Sequence, residues 1–314
     1  MLIINNYAKK SVIVIIMSLC LWFMIGLAFT DNTMPPTGQD SWLVYAFKDL
    51  YDHVNQYSNG GTVGISIKDL TSEEYISING DIQFNPASVI KVPVMAEVFH
   101  QLANGKLTLD KCIVLKRNNK VPGSGGLYYC QNGNSYTIKH LVEKMITESD
   151  NTATNMLINF VGMNNINKYM NSLGLSQTVI KDDTMLSKKP GYQNTTTPDD
   201  MLLLLDMMYQ GKLVNKKYSL QMLEIMSAQK HKWGIRKYLP ETLKIANKTG
   251  SLNSVRNDIG IIFVKDKPYI LTIFAKQIPS DFEATLFVRT ISKLIYDKVI
   301  KTQESIKFAA DVNS

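Results

Sequence analysis

Two kinds of hydrophobic periodicity divide this chain, and their order constrains its fold. Apolar residues alternate with polar ones at Val63, Ile65 and Ile67 and again through Tyr75-Ile76-Ser77-Ile78, the pattern of a two-stranded hairpin. Strand-like runs return only near the other end, at 243–249, 259–265 and 269–276, the last two joined by a tight Asp266-Lys267-Pro268 turn. From Ser88 to about Met226 helical patterns dominate instead. Thr197-Pro198-Asp199-Asp200 is a helix start, with Thr as cap, Pro at the first position and two acids in the first turn. Residues 41–57 carry a helical apolar stripe, and Ser280-Asp281-Phe282-Glu283 is a capping box opening a final amphipathic helix through Leu286, Ile291, Leu294 and Ile295. Strands, then helices, then strands predict an α+β domain over 41–305. Its antiparallel sheet is formed by both chain ends (about 41–80 and 240–300), with an inserted all-helical subdomain (about 85–230). Internal repeats and low-complexity tracts are absent from the sequence.

The chemistry concentrates at Asn85-Pro86-Ala87-Ser88-Val89-Ile90-Lys91. On a helix, positions i and i+3 share a face, so Lys91 Nζ can reach Ser88 Oγ. A serine hydroxyl attacks only when a neighbour takes its proton, and a lysine can do so only if burial or nearby positive charge lowers its pKa. Val89, Ile90, Val92, Val94 and Met95 supply that burial, and Lys91 is the only charge among them. A serine in the first helical turn also faces free backbone N–H groups and the positive end of the helix dipole. Alone this pair is weak, because average residue usage yields Ser-x-x-Lys by chance about once in a chain of this length. Two further triplets change the weight: Ser149-Asp150-Asn151 lies 61 residues on (149 − 88) and Lys248-Thr249-Gly250 another 99 (248 − 149).

Ser-x-x-Lys, Ser-Asp-Asn and Lys-Thr-Gly in that order, together with Asp150-Asn151-Thr152-Ala153-Thr154-Asn155, Thr195-Thr196-Thr197-Pro198 and Lys248-Thr249-Gly250-Ser251, resemble class A β-lactamases and their D,D-peptidase-like relatives. The resemblance covers about residues 60–300. It implies that Ser88 is the nucleophile, Lys91 its base and Ser149 a proton carrier to the leaving nitrogen. Lys248 would be the charge that depresses the pKa of Lys91. Oxyanion donors would come from the backbone of Ser88 and Ser251, and the substrate would be held by Asn151, Thr249, Gly250 and Ser251. Asp150 reads as structural. Arg256, eight residues past Lys248 (256 − 248), is equally a second carboxylate clamp or a structural salt bridge. The glycine-rich run 123–129 is a wall of the cleft or a plain turn.

The sequence departs from the family between Thr184 and Thr195. Class A β-lactamases carry a Glu-x-x-x-Asn run there whose glutamate activates the hydrolytic water. Here 185–194 (MLSKKPGYQN) holds no acid, and Asp182 and Asp183 stand just upstream on side chains one methylene shorter. Without a positioned base, catalysis worth roughly 10²–10⁴-fold is lost from deacylation. The expected enzyme is a serine hydrolase that is acylated by β-lactam amides or by D-alanyl-D-alanine peptides of peptidoglycan and turns over slowly. The alternative is a penicillin-binding sensor or cell-wall module that is acylated without turnover.

Lys9 and Lys10 precede an uncharged run over 11–30, followed by Asp31 and a loop-like 31–40 linker. That asymmetry predicts export, with the remainder periplasmic or otherwise extracytoplasmic. Gly26-Leu27-Ala28 offers a signal-cleavage site, while the length of the run also suits a membrane anchor. The net charge of +7 is scattered and lacks an aromatic-interleaved stripe, which sets nucleic acid aside. The four histidines show no metal-ligand spacing, and neither cofactor nor metal is implied. Cys112 and Cys130 pair or remain free thiols, and the domain is expected to be a monomer.

Overall fold

A computed structural model describes residues 42–58, 60–181 and 193–312. Helix α1 (Trp42–Tyr57) leads into strands β1 (Thr62–Asp69) and β2 (Tyr75–Ile78). The inserted part then holds α2 (Lys91–Ala103), a ribbon of β3 (Cys112–Val114) and β4 (Ser135–Thr137), α3 (Ile138–Thr147), α4 (Asn151–Val161), α5 (Met163–Ser172), α6 (Pro198–Tyr209) and α7 (Lys216–Ser227). The chain closes with β5 (Ile245–Leu252), β6 (Val255–Ile262), β7 (Tyr269–Lys276) and α8 (Asp281–Val312). The five long strands form one antiparallel sheet in the order β2-β1-β7-β6-β5, so both chain ends contribute and β5 is an edge. The 1–30 segment, the 31–40 linker and Asp182 and Asp183 lie outside the described residues.

Alternation along each strand divides the side chains between two cores. Ile65, Ile67, Ile245, Ile262, Leu271 and Ile273 pack under α1 and α8, while Ala246, Ile259, Ile261, Ile270 and Phe274 pack against the helical part. Strands that bury both faces read as continuous apolar runs, and β7 does so through Tyr269–Phe274. The helix starts follow the sequence: Thr197 accepts from Asp200 N at 3.1 Å, and Ser280 Oγ accepts from Glu283 N at 3.1 Å while donating to Glu283 Oε2 at 3.0 Å.

Two differences from the sequence reading stand out, and one alternative it left open is resolved. The helical part also contains the β3–β4 ribbon, whose three-residue strands are too short to show a period. Strand β5 extends to Leu252 and β6 begins at Val255, because Arg256, Asn257 and Asp258 are strand residues although they interrupt the apolar pattern. Cys112 and Cys130 are both free thiols, with their sulfurs 3.7 Å from the carbonyls of Asp110 and Gly126 respectively.

Candidate active site

Ser88 lies in a 3₁₀ turn, Ala87–Ile90, that runs directly into α2 at Lys91. The turn brings the pair together as the spacing predicts, with Lys91 Nζ 3.0 Å from Ser88 Oγ. From the helical part the loop before α4 delivers Ser149, whose φ of +56° swings its carbonyl towards the lysine. Lys91 Nζ then lies 2.6 Å from Ser149 O, 3.0 Å from Ser149 Oγ and 2.8 Å from Asn151 Oδ1. The amide of Asn151 is oriented by its own Nδ2, which donates to Pro122 O at 2.8 Å. From the edge strand comes Lys248, whose Nζ is 3.1 Å from Ser149 Oγ and 2.8 Å from Thr249 O. Ser149 Oγ therefore sits between two lysines, both fully buried.

Burial first, and the charge of Lys248 second, hold the Lys91 ammonium well below the ordinary lysine range, with Asp150 opposing. The neutral amine is the form that suits these neighbours. It has two N–H donors, and Ser149 O and Asn151 Oδ1 can only accept, so the lone pair is left to the hydroxyls of Ser88 and Ser149. Burial lowers Lys248 to about 7, against the opposing charge of Asp258. Asp258 is itself pushed up to about 6 by burial.

Asp150 does the structural work expected of it. Its Oδ1 caps α4 by accepting from Ala153 N at 2.8 Å, and its Oδ2 accepts from Leu127 N at 2.9 Å. The glycine-rich run is clasped to the same loop, since Asn151 N donates to Ser124 O at 3.0 Å. A side chain at Gly125, whose φ is +86°, would place its Cβ 2.1 Å from Asp150 Oδ2. Gly250 meets the turn that carries Ser88: a Cβ there would lie 2.7 Å from Pro86 O and 3.2 Å from Ser88 N. Gly250→Ala should therefore push β5 away from the turn and cut acylation of Ser88 by a hundredfold or more. Rapid-quench mass spectrometry checks this, and an effect under threefold would contradict it.

Thr249 is buried and Ser251 is exposed on β5. Arg256 faces Ser251 across the β5–β6 ladder but does not join the lysine cluster. Its NH2 pairs with Asp281 at 2.7 Å, its Nε donates to Thr285 at 3.2 Å, and its NH1 donates to the carbonyls of Leu252 and Val255 at 2.7 and 2.8 Å. Among the described residues four of its five N–H groups are thus engaged, which is the salt-bridge alternative, and one is left. Sequence reasoning missed the support behind Lys248. Asp258 accepts from Ile235 N at 2.8 Å and from Asn247 Nδ2 at 3.0 Å, and Asn247 Oδ1 accepts from Arg236 Nε at 2.7 Å. The available signal was polar residues inside apolar strands.

A serine beside a fully buried lysine, at the seam of an antiparallel sheet and an inserted helical subdomain, defines an active-site-serine hydrolase. The chain belongs to the beta-lactamase enzyme family, whose model matches residues 46–299. It is 24% identical over 271 residues to a beta-lactamase of Bacteroides uniformis, covering 79% of this chain and 90% of that one. It is also 24% identical over 231 residues to beta-lactamase VEB-1 of Pseudomonas aeruginosa, covering 68% and 77% respectively. Among solved structures, a beta-lactamase from Sphaerobacter thermophilus superposes with a TM-score of 0.77 at 30% identity, covering 81% of this chain and 97% of that one. PBP-A superposes with a TM-score of 0.77 at 27% identity, covering 86% and 100%. Among the described residues no helix is long and apolar enough to cross a membrane, and no cluster of His, Cys, Asp and Glu could hold a metal.

Proposed function

We propose that the protein is an exported enzyme that forms an acyl-enzyme at Ser88 with β-lactams or D-alanyl-D-alanine-like peptides and releases it slowly. The observation that carries this is the fully buried Lys91, whose Nζ lies 3.0 Å from both Ser88 Oγ and Ser149 Oγ. Ser88 Oγ bonds to the amide carbonyl carbon while its proton passes to Lys91 Nζ. As the C–N bond breaks, the leaving nitrogen takes a proton from Ser149 Oγ, and Lys91 replaces it. Backbone N–H groups of Ser88 and Ser251 would stabilise the oxyanion, a contribution worth several kcal/mol per site of this kind. Thr249 and Ser251, with the remaining N–H of Arg256, would hold the substrate carboxylate, and Asn151 the side-chain amide. The penicillin G acyl-enzyme solved for a point mutant of PBP-A supports the β-lactam reading. The acid-free stretch 185–194 supports slow release, and it equally favours the second reading, a penicillin-binding sensor.

The test is intact-mass spectrometry of the 31–314 chain with penicillin, with Ser88→Ala as control. A serine adduct that persists supports the proposal, and release of D-alanine from a stem peptide separates enzyme from sensor. No adduct on the unmodified protein would refute it. Export is checked by the N-terminal sequence of the protein recovered from outside the cytoplasm.

A pH dependence follows from Lys248. With its pKa at about 7, the ammonium is progressively lost above neutrality, and its charge no longer favours the neutral Lys91 or the substrate carboxylate. Acylation should therefore fall on the alkaline side of about pH 7. Lys248→Arg keeps its charge at every accessible pH, so the alkaline limb should move upward. An unmoved limb would assign it to another group.

A further inference from the structure

We infer that Asn257 is a positioning residue for the nucleophile, its carboxamide pinning the turn that presents Ser88. The inference rests on the acyl-enzyme reading above. Asn257 lies on β6 directly opposite Gly250 and is fully buried. Its Nδ2 donates to Asn85 O at 2.9 Å, the one hydrogen bond its side chain makes among the described residues. Asn85 is held at its other end too, since its Oδ1 accepts from Ala87 N at 2.9 Å. This is an Asx turn, a local bond by which asparagine bends the backbone two residues on. The turn sets Ala87 at a φ of +48°, the left-handed region that a Cβ disfavours. Ser88 follows immediately, so its N–H and Oγ are aimed by a conformation the chain would not adopt unaided.

The composition of the strand argues that the contact serves the site rather than the core. On the same face of β6, Ile259 and Ile261 pack into the apolar cluster beneath the helices. Asn257 interrupts that face and leaves its Oδ1 buried with no partner among the described residues. A buried unpaired acceptor is destabilising, and an apolar side chain of similar size would avoid it. What the asparagine supplies is the bond to Asn85, made beside the place where Gly250 lets the strand touch Pro86 O and Ser88 N. Sheet and turn are thus locked at two adjacent points, one by an absent side chain and one by an amide.

The experiment measures penicillin acylation of the full chain by rapid-quench mass spectrometry across drug concentrations. Asn257→Ala should lower the first-order acylation rate at saturation at least tenfold, with the half-saturating concentration unchanged within twofold. Ala87→Gly, which admits a φ near +48° without the Cβ clash, should restore at least threefold of that loss in the Asn257→Ala background. Asn85→Ala, at a half-buried position, cuts the same turn without opening the core and should reproduce the rate loss, so the test survives a poorly folded Asn257→Ala. Normal acylation in Asn257→Ala or Asn85→Ala, no rescue by Ala87→Gly, or a change confined to half-saturation would each overturn the inference. An unmodified protein that takes no adduct refutes the acyl-enzyme reading itself, and this inference with it. Labelled wild type with an unaffected Asn257→Ala refutes only the positioning role.

Discussion

Replacing Lys91 by methionine should slow acylation of Ser88 by about 10²–10⁴-fold, the range that a positioned general base contributes. The side chain is wholly buried and lies 3.0 Å from the hydroxyl whose proton must leave. Methionine fills similar space with no lone pair basic enough to take that proton. Lys91→Arg should fail almost as badly, because a guanidinium stays protonated in proteins and cannot act as a base. The pairing of the two results matters: if only the charge of Lys91 were used, arginine would retain most of the activity. Pre-steady-state acylation by a chromogenic β-lactam separates these cases. A Lys91→Met rate within tenfold of wild type would mean that Ser149, beside Lys248, carries the proton unaided.

What the sequence made legible follows from the range of each interaction. Ser88 and Lys91 are three positions apart, so helical geometry alone joins them. The meeting of Ser149 and Lys248 spans 99 positions, and no local pattern predicts a 3.1 Å contact across that interval; the motif order did. Asn257 and Asn85 are 172 positions apart and belong to no triplet, so nothing in the chain marked their bond. The β6 boundary was misplaced for a related reason. Arg256 is satisfied by Asp281 and Thr285 on α8, and Asp258 by Ile235 N and Asn247, so polar residues occupy a buried strand at positions where the period-two rule expects apolar ones. Strand β7, uninterrupted by polar residues except Thr272, was located to the residue.

The acyl-enzyme on Ser88 should outlast its own formation, decaying roughly 10²–10⁴-fold more slowly than one whose hydrolytic water is activated by a positioned carboxylate. The argument turns on asymmetry between the two half-reactions. Acylation as proposed uses Lys91, Ser149 and Lys248, and the fold sets Ser149 Oγ 3.0 Å from Lys91 Nζ and 3.1 Å from Lys248 Nζ. Deacylation needs a base for water on the acyl carbon. Between Thr184 and Thr195 the chain offers Met, Leu, Ser, two Lys, Pro, Gly, Tyr, Gln and Asn, and no carboxylate. Labelling with penicillin, removing free drug and following the adduct mass over minutes to hours measures the decay. Met185→Glu and Leu186→Glu, made separately, test the cause: a carboxylate reaching the water in either variant should shorten the adduct lifetime a hundredfold or more while leaving acylation within a few-fold. If the wild-type adduct vanishes within seconds, a base is already present. Asp182→Asn and Asp183→Asn then identify it, because the amide keeps the shape of the side chain and cannot take the proton.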